Sequence, residues 1–116
     1  MNYFTLDEFD SPDVLGSGEN MDVKFLELLD YAREEAMTSF KINSGYRTPE
    51  RNAKVGGVSN SSHIKGCAAD ISCTSSAKRL LIVQALINVG FTRIGIAGSF
   101  IHVDNDPDKN DAIWLY

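Results

Sequence analysis

The two histidines of this chain lie far apart in sequence. His63 falls in Ser61-Ser62-His63-Ile64-Lys65-Gly66-Cys67-Ala68-Ala69-Asp70, and His102 in Phe100-Ile101-His102-Val103-Asp104. Brought together, His63, Asp70 and His102 supply two imidazoles and one carboxylate. Three such ligands leave a fourth tetrahedral position on zinc for water or another ligand, whereas a structural zinc site is closed by four protein ligands. A chain using this set must fold so that the two segments meet.

Period-two alternation says how they would meet. On a strand through residues 67–73, Cys67, Ala69, Ile71 and Cys73 point one way, and Ala68, Asp70 and Ser72 the other. On a strand through 101–104, Ile101 and Val103 oppose His102 and Asp104. The apolar rows are expected to face helices, which leaves Asp70, His102 and Asp104 on the other, open face.

The helices come from a different period. From about Asp22 to Phe40, Phe25, Leu28, Leu29, Ala32 and Ala36 recur at helical spacing, with Lys24, Glu27, Arg33 and Glu34 on other faces. A second helix is predicted over Ser76–Val89, with Ser75 or Ser76 as N-cap and Gly90 ending it in the left-handed conformation. Short strands are predicted at Lys41–Ser44, Cys67–Cys73, Arg93–Ala97, Ile101–Asp104 and Ala112–Tyr116. Residues 3–9 read as a short strand or extended arm ended by a turn at Asp10-Ser11-Pro12-Asp13, and Gly16–Asn20 as a loop. Repeats, low-complexity tracts and linkers are absent, and 116 residues suit one domain over 1–116. The expected class is α+β: a small antiparallel sheet with two main helices on one face and an open zinc site on the other.

Composition removes some partners. The net charge is −5 and the eleven Lys and Arg are scattered, so the basic stripe that phosphate binding requires is missing and nucleic acid is not expected. Neither is membrane insertion, because no run approaches the ~20 apolar residues of a span. Met1–Glu8 is acidic and lacks an apolar run, which reads as a chain made in the cytoplasm without a signal peptide. Cys67 and Cys73, on one extended strand, would be ~20 Å apart, far beyond the ~6.8 Å that a disulfide allows between Cα atoms. They are expected to be buried free thiols.

Ser-x-His-x-x-Gly-x-Ala-x-Asp, here Ser61 to Asp70, followed by the distal His102, resembles the zinc signature of peptidase family M15. This is the D-alanyl-D-alanine carboxypeptidase and phage endolysin group, which shares its fold with the Hedgehog amino-terminal domain. Ser44–Asn52, Val55–Ser59 and Trp114-Leu115-Tyr116 are similar to its short, single-domain branch, so the resemblance covers about residues 4–116. It implies His63, Asp70 and His102 as zinc ligands, Arg47 holding a substrate carboxylate or carbonyl, and Ser61 lining the substrate pocket. It further implies Zn2+ as cofactor and the peptidoglycan stem peptide as partner, cut at D-Ala-D-Ala or between L-Ala and D-Glu. Size and the leader reading suggest a monomeric phage lysis or virion-associated enzyme, acting on the wall after release or within a virion.

The chemistry of the residues agrees. A guanidinium such as that of Arg47 grips a carboxylate through two parallel hydrogen bonds, although Arg47 could instead pair with Glu50. Asp70, flanked by Ala69 and Ile71, would be costly in a buried strand without a partner. At the usual base positions of the family, three or two residues before the distal histidine, stand Ser99 and Phe100, neither of which accepts a proton. Asp104 is the substitute candidate for general base, with orientation of His102 or Arg47 as its other reading. Trp114 and Tyr116 read as core or edge aromatics. The alternative to a peptidase is a zinc domain that only binds wall peptide or a protein partner.

Overall fold

A computed structural model describes residues 1–116. Its elements in chain order are α1 (Val23–Ala36), β1 (Ile42–Ser44), α2 (Pro49–Lys54), β2 (Ala68–Ser72), α3 (Ser76–Val89), β3 (Arg93–Ile96), β4 (Phe100–Asp104) and β5 (Ala112–Leu115). The strands form one sheet in the order β1-β2-β4-β3-β5, and α1 and α3 pack together on one face, an α+β arrangement as expected. No helix is long and apolar enough to cross a membrane.

The sheet is mixed rather than antiparallel throughout. β1–β2, β2–β4 and β4–β3 pair antiparallel, but β5 runs parallel to β3. The cause is topological. β2 already occupies the outer side of β4, so the chain leaving Asp104 reaches a free edge only beyond β3. Starting from the end where Arg93 pairs with both Asp104 and Ala112, it must run parallel to β3.

Alternation places the core on the helix side. Ala69, Ile71 and Cys73 join Ile94, Ile101 and Val103 beneath Phe25, Leu29, Ala32, Ile82 and Leu86 in a cluster of 19 buried residues. Burying each large apolar side chain fully contributes about 1.5–3 kcal/mol. Cys67 and Cys73 are free and buried, as expected.

The helix ends follow cap chemistry. Asp22 accepts the Phe25 N–H at 2.9 Å, Ser75 accepts that of Lys78 at 3.3 Å, and Gly90 closes α3 at φ 111°. α1 stops at Ala36 rather than Phe40, because Met37 turns left-handed at φ 54° and carries Phe40 into the core. The expected strand over 3–9 is instead a 3-10 turn, Leu6–Phe9, in which Glu8 accepts the Thr5 N–H at 2.7 Å while Phe4 and Phe9 are buried. Gly16–Asn20 also holds a 3-10 turn, Ser17–Asn20, with Asp10 accepting the N–H groups of Gly16 and Gly18. α2 was not anticipated, although Thr48 as N-cap before Pro49 is a recognisable start: Thr48 Oγ1 accepts the Arg51 N–H at 3.1 Å.

The sheet face away from the helices is less open than expected. His63, His102 and Asp104 are only 3%, 8% and 1% exposed. What remains open there is a cleft of about 380 Å³, walled by residues from the 47–63 segment, the sheet, the β4–β5 connection and β5.

Candidate metal centre

Strand register brings two of the three expected ligands together. Asp70 on β2 pairs directly with His102 on β4, so both side chains rise from the same face. His63 arrives on the turn between Ser61 and Gly66, fixed by the Arg47 N–H donating to the His63 carbonyl at 3.2 Å. Gly66 makes that turn possible: its φ is +73°, and a Cβ there would lie 2.3 Å from the Asn20 carbonyl oxygen.

One ligand atom from each of His63, Asp70 and His102 lies within 4.8 Å of the others. His102 Nδ1 is 2.9 Å, and His63 Nε2 3.4 Å, from Asp70 Oδ1. The outer nitrogens are committed. His63 Nδ1–H donates to the Gly45 carbonyl at 2.7 Å, and His102 Nε2–H to Asp104 Oδ2 at 2.7 Å. Held this way, the rings would present His63 Nε2 and His102 Nδ1 as lone pairs to a bound metal, whereas without one His102 Nδ1 faces the Asp70 carboxylate at hydrogen-bond distance. Two imidazole lone pairs and a carboxylate oxygen facing one another form a donor set that suits zinc.

Burial would raise the Asp70 carboxyl, but hydrogen bonds to His102 and His63 hold it well below the usual carboxylate range. Asp104 is likewise kept low against its burial, by His102, the Asp106 N–H and Arg93. For His102, burial opposes charge and is outweighed by the contacts with Asp104 and Asp70, which raise it above the ordinary imidazole value. A proton and a metal ion therefore compete for the same position.

Arg47 lies beside this cluster. Nη2 is 3.6 Å from Asp70 Oδ2, Nε donates to Ser44 Oγ at 3.2 Å, and Nη1 to Asn52 Oδ1 at 3.3 Å; these partners, rather than Glu50, position it. Ser61 is buried at the cleft wall, with Oγ accepting the His63 N–H at 3.2 Å. Asp104 stands behind His102. Oδ2 takes the outer nitrogen of that ring, and Oδ1 accepts from Arg93 Nε at 2.8 Å and the Asp106 N–H at 3.1 Å. Phe100 lines the cleft with its ring 5.1 Å from that of Tyr116.

Trp114 and Tyr116 are edge aromatics, and from the edge they also wall the cleft. The Trp114 ring lies 5.5 Å from His102, and the Arg93 guanidinium sits 4.9 Å from its centre. Gly95 permits that approach, since a Cβ there would be 2.6 Å from Trp114 Nε1. Arg93, Ser62 and Lys109 stand at the cleft without having been singled out by the sequence, whereas Asp106 lies on the alternation of His102 and Asp104 but further out, in the turn at Pro107. Alternation along β3 was a usable signal for Arg93, because it sets Arg93 on the face opposite Ile94 and hence beside Asp104. Ser62 and Lys109 sit in connections, where no period applies.

Comparison with known proteins is consistent with this arrangement. Residues 2–104 match the family described as Peptidase M15. The chain is also similar to the zinc D-Ala-D-Ala carboxypeptidase of Streptomyces albus G, at 45% identity over 53 residues that make up 46% of this chain and 20% of that protein. The chain thus spans about a fifth of the curated relative it matches. With the family match extending across nearly its whole length, this chain belongs to the peptidase M15 family.

Proposed function

We propose that this chain is a zinc-dependent peptidase hydrolysing a peptide bond of the peptidoglycan stem peptide, of the D-Ala-D-Ala carboxypeptidase or L-Ala–D-Glu endopeptidase type. His63, Asp70 and His102 would hold the metal. The observation carrying this reading is the convergence of their inward-facing donor atoms at a cleft, with the outer histidine nitrogens engaged by Gly45 and Asp104. Zinc, when bound, polarises a substrate carbonyl and acidifies water.

The chain's own residues supply orientation. Arg47, braced by Ser44 and Asn52, presents its guanidinium at the cleft, where a planar fork takes a substrate carboxylate or carbonyl with little further ordering. Ser61 holds the backbone of His63. Asp104, nearly without exposure and with both oxygens engaged, acts by fixing the tautomer and ring plane of His102 rather than by taking a proton from water. Trp114 and Tyr116 wall the cleft beside β3 and give the peptide an apolar surface to lie on.

Incubation with muropeptides, followed by mass analysis of the products, tests the proposal. Cleavage lost on chelation and restored by zinc is the expected result. A protein that keeps stoichiometric zinc yet leaves every wall fragment intact would overturn the peptidase reading in favour of a zinc domain that only binds. Phe100, standing where the family places a base, is the observation favouring that second reading.

A further inference from the structure

Two of the three cations on the wall of the cleft have a carboxylate partner there. The wall carries three permanent cations, Arg47, Arg93 and Lys109, and two carboxylates, Asp70 and Asp104. Arg93 is paired with Asp104 at 2.8 Å, and Arg47 lies 3.6 Å from Asp70. Lys109 has no carboxylate within the wall. Its acidic neighbour Asp106, at 3.6 Å, already receives Lys65 Nζ on both oxygens at 3.0 Å, Ser62 Oγ at 2.8 Å and the Asp108 N–H at 3.0 Å. Lys109 Nζ donates to Ser62 Oγ at 2.9 Å and is one-fifth exposed. An ammonium has three donors, so one remains free for a ligand once Ser62 and Asp106 are served.

Asp106 and Asp108 balance Lys65 and Lys109, so what Lys109 offers the cleft is one free N–H rather than a net field. A charge-assisted hydrogen bond from that N–H favours an anionic ligand. Arg47 and Lys109 share no partner and come from different parts of the chain, the β1–α2 and β4–β5 connections. Two separate cations suit a peptide with two carboxylates better than one.

Building on the peptidase reading above, we propose that Lys109 is a second anion-recognition point. The cleft then takes a stem peptide whose glutamate keeps its free carboxylate, in preference to one in which that group is amidated. Arg47 takes one carboxylate and Lys109 the other.

Trp114 is the single tryptophan of the chain and stands at the cleft wall, so its fluorescence reports binding without turnover. The zinc-loaded chain is titrated with two synthetic stem peptides containing L-Ala-D-Glu, identical except that the glutamate carboxylate is free in one and amidated in the other. Wild type is expected to bind the free acid about tenfold or more tightly, as the loss of a charge-assisted hydrogen bond predicts. Lys109→Met brings the ratio of the two affinities close to one, and Lys109→Arg preserves the preference. Lys65→Met, which removes the stronger contact to Asp106 outside the cleft, preserves it too, with thermal unfolding confirming that each variant is folded.

Equal binding of both peptides by wild type, or an undiminished ratio in Lys109→Met, overturns the inference. So does an equal collapse in Lys65→Met, which would make Lys109 only a tie for the loop. Cleavage of both peptides at equal rates sinks the inference and leaves the peptidase reading standing. Failure to bind either peptide removes both.

Discussion

Asp104 and His102 are joined by a 2.7 Å hydrogen bond between Oδ2 and Nε2, on the side of the ring away from Asp70. Both residues belong to β4 and point the same way, so the strand itself delivers the carboxylate to the outer nitrogen. Asp104→Asn is therefore expected to weaken zinc roughly 10–100-fold, with activity recovered in excess metal. A rate that stays 10²–10⁴-fold low at zinc saturation would instead make Asp104 a general base. Activity measured across a zinc titration separates the two.

Removing His102 should cost the metal and spare the fold. His102→Ala leaves two of three ligands, whereas the 19-residue core lies on the opposite sheet face and includes none of them. Metal analysis should find little zinc in a variant whose circular dichroism is that of the parent. Stoichiometric zinc would show that His102 is not a ligand.

Arg47→Lys keeps the charge but loses the fork. With Ser44 and Asn52 placed to hold Nε and Nη1, a lysine cannot reproduce the brace or the two parallel bonds. A fall in kcat/KM of about tenfold or more on a stem peptide is expected, at unchanged zinc content. Unchanged kinetics would make Arg47 a structural residue.

The pH dependence of stability should differ with and without zinc. In the metal-free chain, the raised His102 contributes stability that is complete below its unfolded value of about 6.5 and is lost as pH rises through the folded value. The depressed Asp70 contributes stability present above about 3.9 and lost as pH falls. The metal-free chain is thus best stabilised by this pair between about pH 4 and 6.5. Zinc needs Nδ1 of His102 without its proton, so the gain in melting temperature on adding zinc should be larger at pH 8 than at pH 5. Equal gains at both values would contradict the assigned donor atoms.

The sequence by itself determined the elements whose residues follow a period. Phe25, Leu29 and Ala32 at helical spacing marked α1, Ser75 and Gly90 bounded α3, and alternation put Asp70 and His102 on one face with Ile71 and Val103 on the other. It also pointed to His63, Asp70 and His102 as a set, because the residue types and their context restrict the chemistry. Tertiary structure decided the rest. The parallel placement of β5 followed from which sheet edge remained free, and that placement alone brought Trp114 against His102. α1 ended at Ala36 without a glycine to announce it, because Met37 turned left-handed and carried Phe40 into the core. Arg93 met Asp104 through strand pairing, and Lys109 met Ser62 through a loop. Periodicity reports the environment of each residue along its own element, whereas the charge balance of the cleft depends on which elements pack together. Chain topology decides that packing.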